Sequence, residues 1–232
     1  MFSRVKYPEV ISKLSYCSVV EFDPVVDQLL AIDFTESNHD LTFELLENTA
    51  LFSRHVAEKM AKAGARYGIG GYAEHRTVYS RSRVFDDPSG GEPRRLHLGT
   101  DIWGPVGTPV STPLDGHVHS FGFNHAFGDY GATIILEHTI EEQIFFTLYG
   151  HLSKGDLDIQ PGQFIPAGKV FAHFGAPAEN GFWPPHLHFQ VILDMQGCHG
   201  DYPGVCRFSE KEAYLSNCPD PDLVLKLNQY LR

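Results

Sequence analysis

The sequence predicts a mainly β protein, with a small α+β extension at the N-terminus and a short helical tail. Three observations carry this. Between about residues 96 and 195, short apolar runs alternate with Gly/Pro turns at close spacing: ATIILEH (132–138), QIFFTLYGHL (143–152), KVFAHFG (169–175) and HLHFQVIL (186–193). No helix-length periodic segment interrupts that stretch. The strongest helical period lies in the first third, where Phe52, Val56, Met60 and Ala63 share one face beside Ala57 and Ala61.

In chain order, YCSVVEF (16–22) and QLLAIDF (28–34) flank Asp23-Pro24 and read as a strand pair around a turn. The helix follows, with Thr49 placed to cap its start and Gly64 to stop it. The GIGGY run after it resembles part of a dinucleotide-binding glycine pattern. It follows a helix rather than a strand and precedes no clear helix, so Gly68, Gly70 and Gly71 read as a flexible exit. Residues 81–95 (RSRVFDDPSGGEPRR) are polar and rich in Pro and Gly, marking a linker. This divides the chain into an extension (1–80), the linker (81–95), a β domain (96–207) and a tail (208–232) whose LVLKLNQYL reads as helical.

With 42% apolar residues, 17 Phe and 10 Tyr in 232 residues, the chain has ample surface to bury, which excludes general disorder. No run approaches the roughly 20 apolar residues needed to span a bilayer. The start, MFSRVKYPEVISKLSYCSVVEFD, is basic but has no continuous apolar stretch, so it does not read as a secretory leader, and a cytoplasmic address is expected. A formal charge of -11 speaks against nucleic acid and anionic membrane as partners. The four cysteines, Cys17, Cys198, Cys206 and Cys218, form no C-x-x-C pair. They read first as small buried apolar residues. A bridge among the last three, or a second metal held with His199, is the alternative.

Three short motifs carry chemistry. H-L-G-T-D sets His97 and Asp101 four apart, a spacing that shares a face in extended chain. H-L-H puts His186 and His188 on one face, with Leu187 and Phe189 turned to the core. Y-G-H-L ends an apolar strand on His151, just before a polar turn. A catalytic zinc site asks for three N or O ligands and an open position for water, which two His and one Asp provide. Further histidines, with an ordinary pKa of about 6.5, suit the proton work. No H-E-x-x-H helix is present, so histidine has to stand in for a glutamate base. The plainer reading of any single histidine is a surface or hydrogen-bonded residue. Asp115-Gly116-His117-Val118-His119 shows that H-x-H also arises without a carboxylate at matching spacing.

The ordered series HLGTDIWGPVGTPVSTPLDGHV, YGATIILEH, TLYGHLS, IQPGQFIPAGKVFAHFG and PPHLHFQ resembles the lysostaphin-type (LytM-like) zinc metallopeptidases over roughly 96–195. The resemblance implies a compact antiparallel β-fold with a narrow groove floored by the sheet. It implies zinc held by His97, Asp101 and His188, with His151 and His186 as the catalytic pair, their division of labour open. It implies cleavage of peptide bonds, typically in peptidoglycan and often beside glycine; oligomeric state is left open. A non-catalytic zinc- or peptide-binding module of the same fold is the alternative, and a latent enzyme plugged by its N-terminal third is another. The wall before H-L-H departs from the family's Gly-rich loop: it reads GAPAENGFWPPHLH, where Trp183, Pro184 and Pro185 stiffen and narrow it. The flanks, including VVEFDPVVDQLLAIDF and NCPDPDLVL, resemble a subgroup in which the domain lies inside a larger cytoplasmic polypeptide with kinase-like and aminotransferase-like parts. There the substrate is expected to be a small peptide or amide.

Overall fold

The structure is a computed structural model that describes residues 7–140 and 142–231. The first six residues of the basic N-terminal start lie outside the described residues. Among the described residues, twelve strands occur in the order β1 (Leu29–Ile32), β2 (Tyr67–Gly70), β3 (Leu96–His97), β4 (Thr100–Trp103), β5 (Pro109–Ser111) and β6 (Gly116–Asn124). They continue as β7 (Gly131–Ile140), β8 (Gln143–Leu152), β9 (Phe164–Ile165), β10 (Val170–His173), β11 (His186–Ile192) and β12 (Val205–Cys206). Eight of them form one sheet in the order β1-β2-β4-β11-β8-β7-β6-β9. Two two-stranded pieces, β10-β5 and β12-β3, complete the β framework. The five α-helices of the described residues are short apart from one: α1 (Tyr7–Ser12), α2 (Phe43–Glu47), α3 (Thr49–Ala63), α4 (Lys211–Asn217) and α5 (Asp222–Leu225). None of the described helices is long and apolar enough to cross a membrane.

The mainly β reading therefore holds, with one addition. The N-terminal part adds strands to the main sheet itself, and it does so in parallel, β1 on β2. Parallel neighbours need a crossover, and α3 is that crossover. The strand pair expected around Asp23-Pro24 is replaced by this unit. Residues 16–22 form no strand, although Val19 and Val20 still bury in the core. Helix α3 presents Phe52, Val56 and Met60 inward as the period predicts, while Ala57, Ala61 and Ala63 are exposed. Its cap is Asn48, whose side chain accepts from the amides of Ala50 and Leu51, not Thr49. Gly64 ends it in the left-handed conformation, at φ 63°.

The glycines of GIGGY do not form a flexible exit. Tyr67–Gly70 is a buried strand between β1 and β4. Side chains there have no room: a Cβ on Gly68 would lie 2.2 Å from Ile32 Cδ1, and one on Gly70 would lie 2.6 Å from the Arg76 guanidinium.

The two faces of β4 and β11 serve different clusters. Ile102, Leu187 and Phe189 point into the main core beneath the sheet. Trp103 points the other way, into a cluster with Phe34, Phe52, Val56, Tyr79 and Trp183, so α3 packs beside the face that carries Asp101. The polar stretch 81–95 is likewise not a bare linker, since Ser82 and Phe85 are buried in it. The tail is helical only briefly, because α5 stops where Lys226 turns left-handed and Asp222 Oδ1 takes the amides of Leu227 and Asn228.

Candidate active site

Register builds the site. Asp101 on β4 lies directly opposite His188 on β11, with Gly70 of β2 beyond Asp101 and Gly150 of β8 beyond His188. The next row pairs Trp103 with His186. Two side chains thus stand in a row whose outer members have none. His97 joins them by a route that strand periodicity does not supply. In a straight strand, residues four apart sit about 13 Å from one another, too far to share an ion. The chain instead turns at Leu98-Gly99: β3 pairs with β12, β4 with β2 and β11. Gly99 makes the corner possible, because a Cβ there would press to 2.5 Å on the His188 ring.

Three atoms converge as a result. His97 Nε2 is 2.9 Å from His188 Nδ1 and 3.2 Å from Asp101 Oδ1, and His188 Nδ1 is 3.1 Å from that same oxygen. These three residues form the only cluster suited to a metal among the described residues. The opposite ring atoms fix the tautomers. His97 Nδ1 meets the Gly71 carbonyl at 2.9 Å, so it donates and leaves Nε2 a lone pair. His188 Nε2 meets Gln190 Oε1 at 2.9 Å, and the Gln190 amide nitrogen is spent on the Pro203 carbonyl, so Nδ1 is the lone pair. Two ring lone pairs and a carboxylate oxygen therefore face one another with no proton between them, an arrangement that calls for a cation. Tetrahedral ligands at about 2.0–2.1 Å would stand ~3.3 Å apart, close to the spacings found.

The second Asp101 oxygen is held by Arg76, whose Nη1 approaches it at 2.5 Å while its Nε reaches Glu74. Arg76 is buried, with its guanidinium 5.6 Å from the Phe34 ring and 5.9 Å from that of Tyr79. Burial alone would lower the guanidinium pKa; Tyr79, Asp101 and Glu74 outweigh it, and the group stays charged. For Asp101, burial would raise the carboxyl, yet its electrostatic interactions with the His97 ring and the Arg76 guanidinium hold it well below the ordinary carboxylate range. His97 is pushed down to about 4, by burial first and then by Arg76.

His151 and His186 stand beside this trio, their rings 4.1 Å apart. His186 Nδ1 donates to the Pro184 carbonyl at 2.7 Å and its ring stacks on Trp103, leaving Nε2 3.9 Å from Asp101 Oδ1. His151 Nδ1 donates to the Asn180 carbonyl at 2.8 Å. His151 itself has φ 63°, a left-handed backbone that a non-glycine residue adopts only when its surroundings impose it. Burial, aided by the neighbouring histidines, keeps His151 well below its ordinary pKa, and burial lowers His186 to about 4. Both are neutral bases at pH 7, with Nε2 available.

All five residues picked out in the sequence are brought together, and each is at most 6% exposed. His117 and His119 stand apart on β6, and no cysteine joins a metal-capable cluster among the described residues. Cys218 is buried with its sulfur accepting from Gln190 Nε2, and all four cysteines are free. The supporting groups went unread: Arg76, Gln190, the Gly71 carbonyl, and Asn180, whose buried amide ties Gly175 to Trp183. Arg76 sits in a polar run with no motif around it. Gln190, two residues after His188 on the same strand face, did carry a signal.

Comparison with known proteins finds similarity over the stretch that carries these residues. Residues 95–199 match the profile of Peptidase family M23. An L-Ala--D-Glu endopeptidase of Bacillus subtilis is 32% identical over 144 residues, which is 59% of this chain and 42% of the relative. The peptidoglycan DD-endopeptidase ShyB of Vibrio cholerae is 26% identical over 208 residues, 87% of this chain and 46% of the relative. The catalytic domain of lysostaphin from Staphylococcus simulans shares 26% identity at a TM-score of 0.40, covering 57% of this chain and 80% of that one. The chain spans less than half the length of the first two relatives. The resemblance to this peptidase family thus extends over residues 95–199 of the chain.

Proposed function

We propose that this protein hydrolyses peptide bonds with a zinc ion held by His97 Nε2, Asp101 Oδ1 and His188 Nδ1. The observation that carries the reading is the meeting of three electron-pair donors within 3.2 Å, each with its outer atom tied down. Two neutral ligands and one carboxylate suit zinc, and bound zinc supplies Lewis acidity and a water whose pKa falls to about 7. The chain's own residues do the rest. Arg76 and the Gln190 amide hold two of the ligands in orientation. His151 and His186 offer Nε2 lone pairs side by side, so one would accept a proton at Nε2 and, once protonated, would hand it on to the leaving amine. The relatives' names, an L-Ala--D-Glu endopeptidase and a peptidoglycan DD-endopeptidase, support a peptide substrate.

The test separates metal from chemistry. Asp101→Ala should remove stoichiometric zinc and hydrolysis together, as measured by metal analysis and peptide cleavage. His151→Ala and His186→Ala should abolish hydrolysis while zinc stays bound. A purified wild-type chain that takes up no zinc would refute the reading. Unchanged cleavage in both histidine variants would leave only a binding module.

A further inference from the structure

We infer that Trp103 is a positioning residue for His186, and that the N-terminal part of the chain holds it in place. The inference rests on the peptidase reading and concerns what fixes the plane of a ring that has to present one nitrogen. His186 donates from Nδ1 to the Pro184 carbonyl at 2.7 Å. That bond fixes one atom, but the ring can still rock about it and carry Nε2 along. The indole of Trp103 removes this freedom. Its centroid lies 3.9 Å from that of the imidazole with the two planes 18° apart, so the contact is face to face. Register puts it there, because Trp103 is the cross-strand partner of His186. A flat ring constrains the plane of another flat ring, whereas a branched aliphatic side chain would fill much of the space and leave tilt open.

The indole is itself held from behind. Phe34 meets it at 5.1 Å with the planes 65° apart, and Phe52 of α3 meets Phe34 in turn at 5.7 Å and 81°. A column of rings thus runs from α3 to His186, and the two that back Trp103 lie outside residues 95–199. Phe34, Phe52, Trp103 and His186 are each at most 2% exposed, so none of these rings has open space to swing into. Gly68 and Gly70 of β2 clear the bed: a Cβ on Gly68 would stand 3.3 Å from Trp103 Cβ, and one on Gly70 3.2 Å from Nε1. Trp103 Nε1 has no hydrogen-bond partner among the described residues, although a buried indole N–H usually has one. The position uses the faces of the ring and not its polar handle. The same part of the chain gives the Gly71 carbonyl to His97 and Arg76 to Asp101. It therefore backs two ligands and one of the paired histidines.

The experiment compares Trp103→Leu, Trp103→Phe and Phe34→Leu in the full chain loaded with zinc. Val56→Ala, a truncation in the same apolar cluster on α3, is the control. On a peptide that the wild type cleaves, Trp103→Leu should lower kcat about a hundredfold with KM within about threefold and zinc retained, because a reacting group about 1 Å out of place loses that much. Trp103→Phe keeps a face against the imidazole and should recover most of kcat, and Phe34→Leu should lower it about three- to tenfold. Val56→Ala should lower the urea midpoint and leave kcat unchanged. A kcat in Trp103→Leu within about threefold of wild type, an equal fall in Val56→Ala, or a Trp103→Phe as slow as Trp103→Leu overturns the inference and leaves the peptidase reading intact. Should Trp103→Leu fail to fold, Phe34→Leu carries the test, and a wild-type kcat there overturns the inference. Proton NMR of the metal-free chain gives a readout apart from activity. The His186 Cε1–H resonance, assigned by its loss in His186→Gln, should lie upfield of the exposed histidines through the indole ring current. It should move toward them in Trp103→Leu and stay in Val56→Ala. An unshifted resonance in the wild type overturns the inference whatever the kinetics. No cleavage by the wild-type chain overturns the peptidase reading, and the resonance then decides alone whether Trp103 sets the ring.

Discussion

The molecule contains two H-x-H strands, and among the described residues only one of them joins a metal-capable cluster. His186 and His188 lie on β11, at the centre of the main sheet, where Asp101 is the cross-strand partner of His188. His117 and His119 lie on β6, next to the edge strand β9. There His117 faces Glu137 across the ladder, so a carboxylate is at hand in this case too. What differs is the third ligand and the outer atoms. The β6 ladder slips between Val118 and Ser120, His119 spends Nδ1 on Ser120 Oγ, and its ring stacks on the exposed His199. The segment that lies against this pair brings the His199 ring and the Gly200 backbone, and no metal-capable trio forms there among the described residues. Spacing proposes a metal site; register and the partners behind each ligand decide it.

The contrast can be broken in four ways, from the largest effect down. His188→Ala should lose zinc and lower kcat/KM by about a thousandfold or more, whereas His119→Ala should leave zinc content unchanged and stability within about 0.5 kcal/mol. Metal analysis and denaturant melts on both variants decide this; equal loss would erase the distinction. Arg76→Met should destabilise the metal-free protein by about 3–5 kcal/mol, because it strands the Asp101 carboxylate in a buried site. Urea midpoints after chelation measure it, and a change below about 1 kcal/mol would show that the pair is not needed. Gln190→Leu should weaken zinc binding about 10–100-fold in a chelator competition by freeing the His188 ring, and no change would argue against tautomer control.

The smallest effect comes from a buried histidine that holds no metal. His138 donates from Nδ1 to the Asp115 carbonyl, contacts Thr147 Oγ1 through Nε2, and is pushed down to about 4, chiefly by burial. The unfolded chain takes up the proton below about 6.5 while the folded one stays neutral, so the stability tied to His138 is present above that pH and lost as pH falls toward about 4. The wild-type advantage over His138→Gln should therefore shrink by about 2 kcal/mol between pH 7 and about pH 5, read from urea melts at each pH. A pH-independent difference would remove His138 from the acid response.

Much of the site was legible because its residues are crowded into short motifs: His97 with Asp101, His186 with His188, and His151 closing an apolar strand. The alternation of Leu187 and Phe189 told which way H-L-H faces. The spacing in HLGTD was suggestive for an incomplete reason, since a straight strand would separate the pair and the Leu98-Gly99 corner unites them. Arg76, Asn180 and the Gly71 carbonyl act across long sequence separations, and a backbone carbonyl leaves no mark on residue identity. The strand made of Tyr67–Gly70 was hidden because glycine has no strand propensity of its own. It is used there to let Ile32, Trp103 and Arg76 crowd in.

The corner at Leu98-Gly99 has a thermodynamic consequence. It sends two ligands of one five-residue motif into two different sheets, His97 into the pair with β12 and Asp101 into the main sheet with His188. An ion seated between them works as a clasp. Closing it holds β3, β12 and the α4 region against the main sheet, and part of its binding free energy becomes folding free energy. Ion affinity and the docking of the two sheets are then one equilibrium written twice.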